Sequence, residues 1–194
     1  MQIKDKAILL SKTKYAEADL ILKLLTAGGE VYSAIAKSAL KSRKRFGGGV
    51  LEPTHYVNVS LTRRPDDFAG ERLAVLNEAQ MIDDFRGLKA DYDRLALALF
   101  FVQTVATMAR EGDMHREIFN LLGHALKAAE MTNDLTRLRT QFVLKLLHLQ
   151  GVLPPEPQYL PYLKASIRES QLIDVGDVPV SQQADLILQR YLTL

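Results

Sequence analysis

The chain is organised around one stretch, Lys37-Ser-Ala-Leu-Lys-Ser-Arg-Lys-Arg-Phe-Gly-Gly-Gly-Val-Leu-Glu-Pro53, which we call the basic loop. Five of its first nine residues are basic, and no acid occurs between Glu30 and Glu52. A basic run that ends in a glycine-rich corner suits a flexible clamp for a polyanion between two ordered elements. Judged by charge alone, such a stretch is more often a solvated loop without a partner. A choice between a solvated loop and a polyanion-binding loop therefore depends on the residues around it.

The charge of the chain is unevenly distributed. Residues 1–80 hold 13 basic and 9 acidic residues, whereas residues 81–194 hold 12 and 14, so the overall balance of +2 conceals a basic first half. This surplus favours a polyanionic partner for the first half. With 194 residues, 47% of them hydrophobic, the chain has the composition of a globular protein.

Several classes of chemistry have no residues to support them. The chain has no cysteine, which excludes disulfides, thiolate metal sites and cysteine nucleophiles. None of the four histidines has zinc-site spacing, and the three glycines are not followed by a phosphate-binding motif. We therefore predict no catalytic residues, no metal and no cofactor. Without an apolar signal region or a membrane-length apolar run, a cytoplasmic location without membrane contact is expected.

The first half has the pattern of short strands. Apolar or alternating runs occupy residues 6–11, 20–26, 30–36, 55–61 and 71–79, although the last run also suits a helix. Residues 12–19 and 63–70 read as polar connections, and Gly28-Gly29 reads as a hairpin turn. Five short strands in roughly 80 residues indicate a small barrel of the oligonucleotide-binding (OB) type.

The second half has the period of helices. A stripe at spacings of three and four predicts a first helix that Asp83 or Asp84 caps and Gly112 ends, with these residues facing inward: Leu88, Tyr92, Leu95, Leu99 and Val102. Asp113 is expected to cap a second helix, residues 114–131, and Thr132 or Asn133 a third, residues 135–149. After a proline-rich linker we predict a short helix at 161–170 and a last helix capped by Ser181. The predicted fold class is α+β, with a five-stranded OB-fold barrel at residues 1–80 and an all-α domain at 81–194.

A barrel that binds single strands needs cations for the phosphates and aromatic faces for the bases. The first half carries five aromatic residues among its basic residues: Tyr15, Tyr32, Phe46, Tyr56 and Phe68. Phe46 is the most suggestive, because it follows Lys44 and Arg45 directly. We therefore predict a DNA-binding set made of Lys37, Lys41, Arg43, Lys44, Arg45, Phe46, Arg63 and Arg64.

At this point the residues resemble a known family, the bacterial recombination mediator RecO. The opening Lys6-Ala-Ile-Leu-Leu-Ser with Tyr15 resembles its start, and Ala36-Lys37 followed by Arg45-Phe-Gly-Gly and Leu51-Glu-Pro resembles its most recognisable motif. Phe85-Arg-Gly-Leu-Lys and Phe142-Val-Leu-Lys-Leu-Leu-His-Leu-Gln-Gly resemble pieces of its helical domain. The resemblance covers roughly residues 3–152. The chain departs from the family in a third glycine before Leu51 and in lacking a four-cysteine zinc module.

The resemblance implies an OB-fold barrel followed by helices, and a non-enzymatic role at the nucleoid. It implies binding of single- and double-stranded DNA, annealing of complementary strands, and action with RecR to load RecA onto DNA coated by single-strand-binding protein. It also implies recognition of the acidic, apolar C-terminal tail of that protein.

A site for that tail needs a groove with a basic rim. We predict this site at Arg137, Arg139 and Phe142 on the third predicted helix, with the two arginines as its rim, although solvated helix charges remain the simpler interpretation of the arginines. Two other functions remain open for the whole chain: a degenerate RecO-like adaptor for protein interactions, and an RNA-binding OB-fold module. An enzyme is disfavoured, because no set of carboxylates converges.

Overall fold

The computed structural model describes residues 1–63, 73–110, 114–173 and 178–193. The chain forms two compact units. The first contains Met1–Phe85 and Val102–Asn120, and the second contains Arg86–Phe101 and Leu121–Leu194. The first unit thus includes the end of one helix and the start of the next in addition to the strands. The division into functional domains at residue 80 stays a prediction.

The first unit contains a closed five-stranded barrel, with strand order β1-β2-β3-β5-β4. The strands are β1 (Gln2–Tyr15), β2 (Asp19–Thr26), β3 (Val31–Ala36), β4 (Tyr56–Thr62) and β5 (Ala74–Asp83). All neighbouring pairs are antiparallel except β3 and β5, which are parallel. Closure pairs the strand edges that an open sheet of five strands would expose. The OB-fold barrel followed by helices confirms the predicted fold class.

The barrel core follows from the alternation of apolar side chains along the strands. On β4, Val57, Val59 and Leu61 are buried, while Asn58 between them is exposed. Leu22 and Leu24 face the same core from β2. Since successive side chains of a strand point to opposite faces, each strand buries every second residue against the others.

The prediction of a polar connection at residues 12–19 is wrong, because β1 continues to Tyr15 and β2 begins at Asp19. The chain reverses within three residues, and Ala16 adopts a left-handed conformation there, with φ of 52°. An irregularity in the pairing between Leu9 and Ser11 resets the register, so that the strand runs on with both faces exposed. The charged lysines hid the strand from a periodicity argument, although Thr13 and Tyr15 are good strand formers.

The predicted Gly28-Gly29 turn joins β2 and β3. Within the first unit it contacts His115 and Arg116, where a helix begins. Gly29 has φ of 101°, and its carbonyl accepts a hydrogen bond of 2.8 Å from the His115 N–H. A Cβ at this position would lie 2.6 Å from the backbone nitrogen of Arg116. Gly29 is therefore required both by its conformation and by the close approach.

The helices are α1 (Tyr92–Met108), α2 (Arg116–Met131), α3 (Leu135–Leu149), α4 (Leu160–Lys164) and α5 (Val178–Leu192). Within the described ranges, 3-10 turns occur at Arg86–Ala90, Pro157–Tyr159 and Ile167–Leu172. The predicted single helix at 161–170 is thus two short pieces, α4 and the third 3-10 turn. Across the described ranges, no helix combines the length and the apolarity that crossing a bilayer requires.

The start and the buried face of α1 differ from the prediction. Asp91 is the cap, since its carboxylate accepts hydrogen bonds from the N–H groups of Asp93 and Arg94. Of the predicted inward residues, Leu88 and Val102 are buried, but Tyr92 is 84% exposed, and Leu97, Ala98 and Phe101 are buried in addition. This helix is apolar on most of its surface, so periodicity alone could not choose the buried face.

The other helices follow their predictions more closely. The predicted inward residues of α2 are all buried: Ile118, Leu121, Leu122, Ala125 and Leu126. Asp134 caps α3, in place of the predicted Thr132 or Asn133, and Gly151 follows its end with φ of 70°. Ser181 lies inside α5 and is not its cap. Gly112 and Asp113, predicted at the end of α1 and the start of α2, lie outside the described residues.

Candidate nucleic-acid interface

The basic loop is a series of hydrogen-bonded turns between β3 and β4. The N–H groups of Lys41 and Ser42 both bond the Ser38 carbonyl, at 3.1 and 3.0 Å, and the Phe46 N–H bonds the Ser42 carbonyl at 3.1 Å. The Ala79 N–H on β5 donates to the Arg45 carbonyl at 3.1 Å. These bonds tie the backbone of the loop to itself and to the barrel.

Both ends of the loop are held in left-handed backbone conformations. Ser38 has φ of 53°, and its N–H donates to the Asp19 carboxylate at 2.7 Å. Thr54, which is buried, has φ of 78°, and its N–H donates to the Leu9 carbonyl at 2.9 Å. Such conformations cost of order 1–3 kcal/mol in residues other than glycine, and they persist only where the surroundings determine them. The barrel therefore sets the path of the loop at both ends.

Of the three loop glycines, only Gly49 has a conformation that favours glycine. Its φ is 80°, which a residue with a Cβ adopts only under strain. At Gly48 the φ is not positive and a Cβ would meet no atom within 4 Å. The presence of a third glycine in the loop, which departs from the family pattern, therefore requires no special backbone conformation at Gly48.

Arg45 has a structural role inside the loop. Its Nη2 donates to the Lys37 carbonyl at 2.7 Å, and its Nε donates to the Ser42 hydroxyl at 3.1 Å. The guanidinium carbon lies 5.1 Å from the centre of the Phe46 ring. Arg45 therefore holds the two ends of the basic run together, and its donors point along the loop backbone.

Phe46 is 5% exposed and belongs to the core of the barrel. It packs in the same cluster as Ala39, Val50 and Leu51 of the loop and as residues of all five strands. Its ring is thus not available to stack on a base, which corrects the role expected from its position beside Lys44. Its side chain instead fastens the loop onto the barrel.

Four cations of the loop remain at the surface: Lys37, Lys41, Arg43 and Lys44. In the part of the chain that the structure describes, no ion pair or side-chain hydrogen bond engages any of them. Long cationic side chains on an ordered backbone form a local positive surface, where a polyanion gains from each contact.

The hairpin between β1 and β2 lies against the basic loop, which the sequence did not indicate. The Leu40 N–H donates to the Ala18 carbonyl at 3.1 Å, and the Lys12 ammonium pairs with the Glu52 carboxylate at 2.5 Å. A shallow cavity of about 220 Å³ is lined by both segments, including Lys12 and Arg43. In the sequence, Thr13 and Tyr15 alternate with Lys12 and Lys14. This alternation is the signal from which a continuation of β1 into this region could have been predicted.

Arg63 lies elsewhere on the barrel. It follows β4, and its backbone exchanges hydrogen bonds with Met1, the Arg63 N–H donating at 2.9 Å and its carbonyl accepting at 2.6 Å. Met1 precedes β1, whereas the hairpin that contacts the basic loop lies at the opposite end of that strand. Arg64, the second residue of this predicted pair, lies outside the described residues.

The three candidates for tail binding lie in the second unit and differ in availability. Phe142 is buried, with its ring centre 4.1 Å from that of Phe101. Arg139 pairs with Asp185, with Nη1 at 2.6 and 2.7 Å from the two carboxylate oxygens, and its guanidinium carbon lies 4.3 Å from the Phe100 ring centre.

Arg137 is also engaged within the second unit. Its Nε lies 3.2 Å from a carboxylate oxygen of Asp134, and its Nη1 donates to the Gln171 carbonyl at 3.1 Å. An open cavity of about 570 Å³ is bordered by Arg139, Phe100 and Leu97, and also by the acids Asp93 and Asp134. The rim is therefore of mixed charge, with one arginine on it.

Two family models match the chain in order. The model for the N-terminal part of recombination protein O matches residues 1–85, and the model for its C-terminal part matches residues 89–156. The first therefore covers all five strands, and the second covers α1, α2 and α3. The resemblance found from the sequence motifs is confirmed.

Proteins named DNA repair protein RecO are similar to the chain. The protein of Alkaliphilus metalliredigens is 31% identical to the chain, and the match covers 79% of the chain and 60% of the relative. The protein of Desulfosudis oleivorans is 36% identical, and the match covers 62% of the chain and 45% of the relative. The protein of Syntrophus aciditrophicus is 32% identical, and the match covers 78% of the chain and 56% of the relative. The chain thus spans at most 60% of the length of each of these three relatives. With both parts of the family model matched in order, the chain belongs to the recombination protein O (RecO) family.

Proposed function

We propose that the chain acts in recombinational DNA repair by binding single- and double-stranded DNA through the basic loop and by annealing complementary strands. The observation that carries this proposal is the set of four exposed cations, Lys37, Lys41, Arg43 and Lys44, on an ordered loop of an OB-fold barrel, none of which has a side-chain partner among the described residues. Membership of the RecO family supports it, since the similar proteins carry the name DNA repair protein.

Annealing by such a surface requires no catalytic residue, no metal and no cofactor. Cations that neutralise two polyanions lower the repulsion between them, and contacts that are blind to sequence let the strands search for their register. Arg45 and Phe46 contribute by holding the loop on the barrel, so that the charges are displayed together. We also propose phosphate contacts by Arg63, which follows β4, and by Arg64.

The partners implied by the family form the second part of the proposal. We propose that the chain works with RecR to load RecA onto DNA coated by single-strand-binding protein, at the bacterial nucleoid in the cytoplasm. The acidic tail of the single-strand-binding protein would enter the cavity beside Arg139, with its apolar end against Phe100 and Leu97. To bind there, a tail carboxylate has to compete with Asp185 for Arg139.

Fluorescence anisotropy with labelled single-stranded DNA across a salt series tests DNA binding. If about four phosphates are contacted, the slope of log affinity against log salt should be about −2.8 for single strands. The charge reversal Lys41→Glu, Arg43→Glu, Lys44→Glu should weaken binding at least tenfold and flatten the slope. A matched reversal on the second unit, Lys164→Glu, Arg168→Glu, Arg190→Glu, changes the net charge by the same amount at exposed positions. This control should bind DNA far more tightly than the loop variant does.

A flat salt dependence in the wild type, or equal losses in the two triple variants, would refute the assignment of DNA binding to the loop. The same series with RNA of equal length separates a DNA-binding mediator from an RNA-binding module. Binding of the tail peptide without measurable DNA affinity would instead identify a protein-interaction adaptor.

A further inference from the structure

We propose that Tyr15, at the tip of the β1–β2 hairpin, is the residue on which an unpaired base stacks when the chain binds a single strand. This inference rests on the proposed DNA-binding function and names the aromatic contact that Phe46 cannot provide. A surface of lysines holds phosphates, but distinguishing single strands from duplex requires a group that recognises an exposed base face.

Exposure singles out Tyr15 among the aromatic residues of the barrel. Tyr32 and Phe46 are 4% and 5% exposed, and the half-buried Tyr56 packs against Phe119 with the ring centres 6.0 Å apart. Tyr15 is 53% exposed. In the described part of the first half, it is thus the aromatic side chain most accessible to a base.

Tyr15 stands beside the basic loop. It pairs directly with Asp19 on β2, and the Asp19 carboxylate accepts the Ser38 N–H of the loop at 2.7 Å. Directly paired residues on adjacent strands have their Cβ atoms about 4.5–5.5 Å apart, on the same face. Lys37 follows Ala36, which pairs with Leu20, the neighbour of Asp19. One strand, β2, thus separates Tyr15 from the point where the exposed cations begin.

The immediate surroundings of Tyr15 favour a base over a phosphate. The carboxylate of Asp19, directly opposite, repels an anion, so we expect the phosphates to lie on the exposed cations of the basic loop instead. Leu40, which is 56% exposed, is joined through its N–H to the Ala18 carbonyl in the hairpin turn. An exposed ring in the hairpin and an exposed aliphatic side chain in the loop bonded to it, each next to a lysine in the sequence, have the composition of a base-stacking platform.

The hairpin orders the backbone that carries the ring. Five consecutive pairs join β1 and β2 between Ser11–Lys23 and Tyr15–Asp19, and the Lys12–Glu52 ion pair fastens the hairpin to the end of the basic loop. A ring on a paired strand loses little freedom when a base stacks on it, because its backbone is already ordered.

The first test compares three ligands: an oligothymidine of about 12 nucleotides, a backbone of the same length without bases, and a duplex. Tyr15→Ala should weaken binding of the oligothymidine about tenfold while leaving the salt slope and the affinities for the abasic backbone and the duplex unchanged. Tyr15→Phe, which keeps the ring, should bind like the wild type.

The second test uses the absence of tryptophan from the chain. In Tyr15→Trp the new indole is the only one, and its fluorescence should be quenched by the oligothymidine but not by the abasic backbone. Tyr92→Trp, on the exposed start of α1, is the matched control and should not be quenched.

The outcomes separate this inference from the proposed function. If Tyr15→Ala binds the oligothymidine as tightly as the wild type, or weakens all three ligands equally, base stacking on Tyr15 is refuted. An indole at position 15 that is not quenched refutes it as well. In those cases the loop reversal still decides the proposed function, because the phosphate contacts do not depend on the ring. A wild type that binds none of the three ligands overturns both.

Discussion

The guanidinium of Arg45 donates a hydrogen bond of 2.7 Å to the carbonyl of Lys37, and thereby joins the last basic residue of the loop to its first. A second donor of the same side chain bonds the Ser42 hydroxyl. Arginine can make such contacts simultaneously because its donors lie in a rigid plane. The charge of Arg45 is therefore less important here than the shape of its donor group.

The substitution Arg45→Lys tests this role, since it keeps the charge and removes the planar donors. We expect the free energy of unfolding to fall by about 1 kcal/mol, the net value of a hydrogen bond or two at a partly exposed site. DNA affinity should fall several-fold while the salt slope remains that of the wild type. Urea unfolding and anisotropy measure the two effects.

Lys44→Arg is the matched control, because it makes a comparable exchange at an exposed position of the same loop. It should change neither stability nor affinity. Wild-type affinity in Arg45→Lys would show that the arrangement of the loop does not matter for binding.

Phe46 should behave as a core residue. Phe46→Ala is expected to lower the free energy of unfolding by about 3–5 kcal/mol, because a buried ring is lost and a cavity remains. Phe46→Leu keeps most of the apolar volume, so we expect a folded protein that binds single-stranded DNA like the wild type. Circular dichroism in urea gives the stability, and anisotropy gives the affinity. A stable Phe46→Leu protein that no longer binds DNA would show that the ring contacts the nucleic acid.

We expect the phenol of Tyr32 to make the stability of the barrel sensitive to alkaline pH. Burial raises the pKa of the Tyr32 phenol well above its usual range, and the hydrogen bond of 2.5 Å that it donates to Glu30 raises the pKa further. Below pH about 10, the ordinary pKa of a tyrosine, the phenol is neutral in the folded and the unfolded chain, and its contribution to stability is complete. As the pH rises from there toward the raised value, the unfolded chain ionises first, so this contribution is lost.

We therefore expect the unfolding free energy of the wild type to fall more steeply above pH about 10 than that of Tyr32→Phe, by about 1.4 kcal/mol per pH unit for one proton. Near neutral pH, Tyr32→Phe should be less stable by about 1 kcal/mol, since the bond to Glu30 is lost. Urea unfolding at a series of pH values gives both numbers. Parallel curves above pH about 10 would contradict the assignment.

Asp185 is the anionic partner of Arg139, so in the proposed site it would compete with an acidic tail for the guanidinium. In Asp185→Asn the guanidinium keeps its position over Phe100 but loses its anionic partner. We expect the acidic tail peptide to bind several-fold more tightly, with a steeper salt dependence, and Arg139→Ala to bind it more weakly than the wild type. Because the pair is partly exposed, the cost in stability should stay below about 1 kcal/mol. Weaker peptide binding in Asp185→Asn would argue against this cavity as the tail site.

The strand and helix content was readable from the sequence because one face of each element is buried. The alternation of Val57, Val59 and Leu61 is the pattern of a half-buried strand, and the spacing of Ile118, Leu122 and Leu126 is that of a half-buried helix. Where this asymmetry is missing, the prediction was wrong. The end of β1 is exposed on both faces, so periodicity places Tyr15 in a connection and not in a strand. The helix α1 is apolar on several faces, so periodicity places the exposed Tyr92 in the interior.

The sequence by itself determined the class of fold, the place of the basic loop between β3 and β4, and membership of the RecO family, because periodicity, charge and ordered motifs are local properties of the chain. Only the tertiary structure decided what each residue of the loop does. Phe46 and Arg45 are adjacent to Lys44 in sequence, yet Phe46 packs into a core built from distant strands and Arg45 bonds a carbonyl eight residues away. Burial and hydrogen bonding depend on which distant groups the folded chain brings near, and for this loop those groups come from the rest of the barrel.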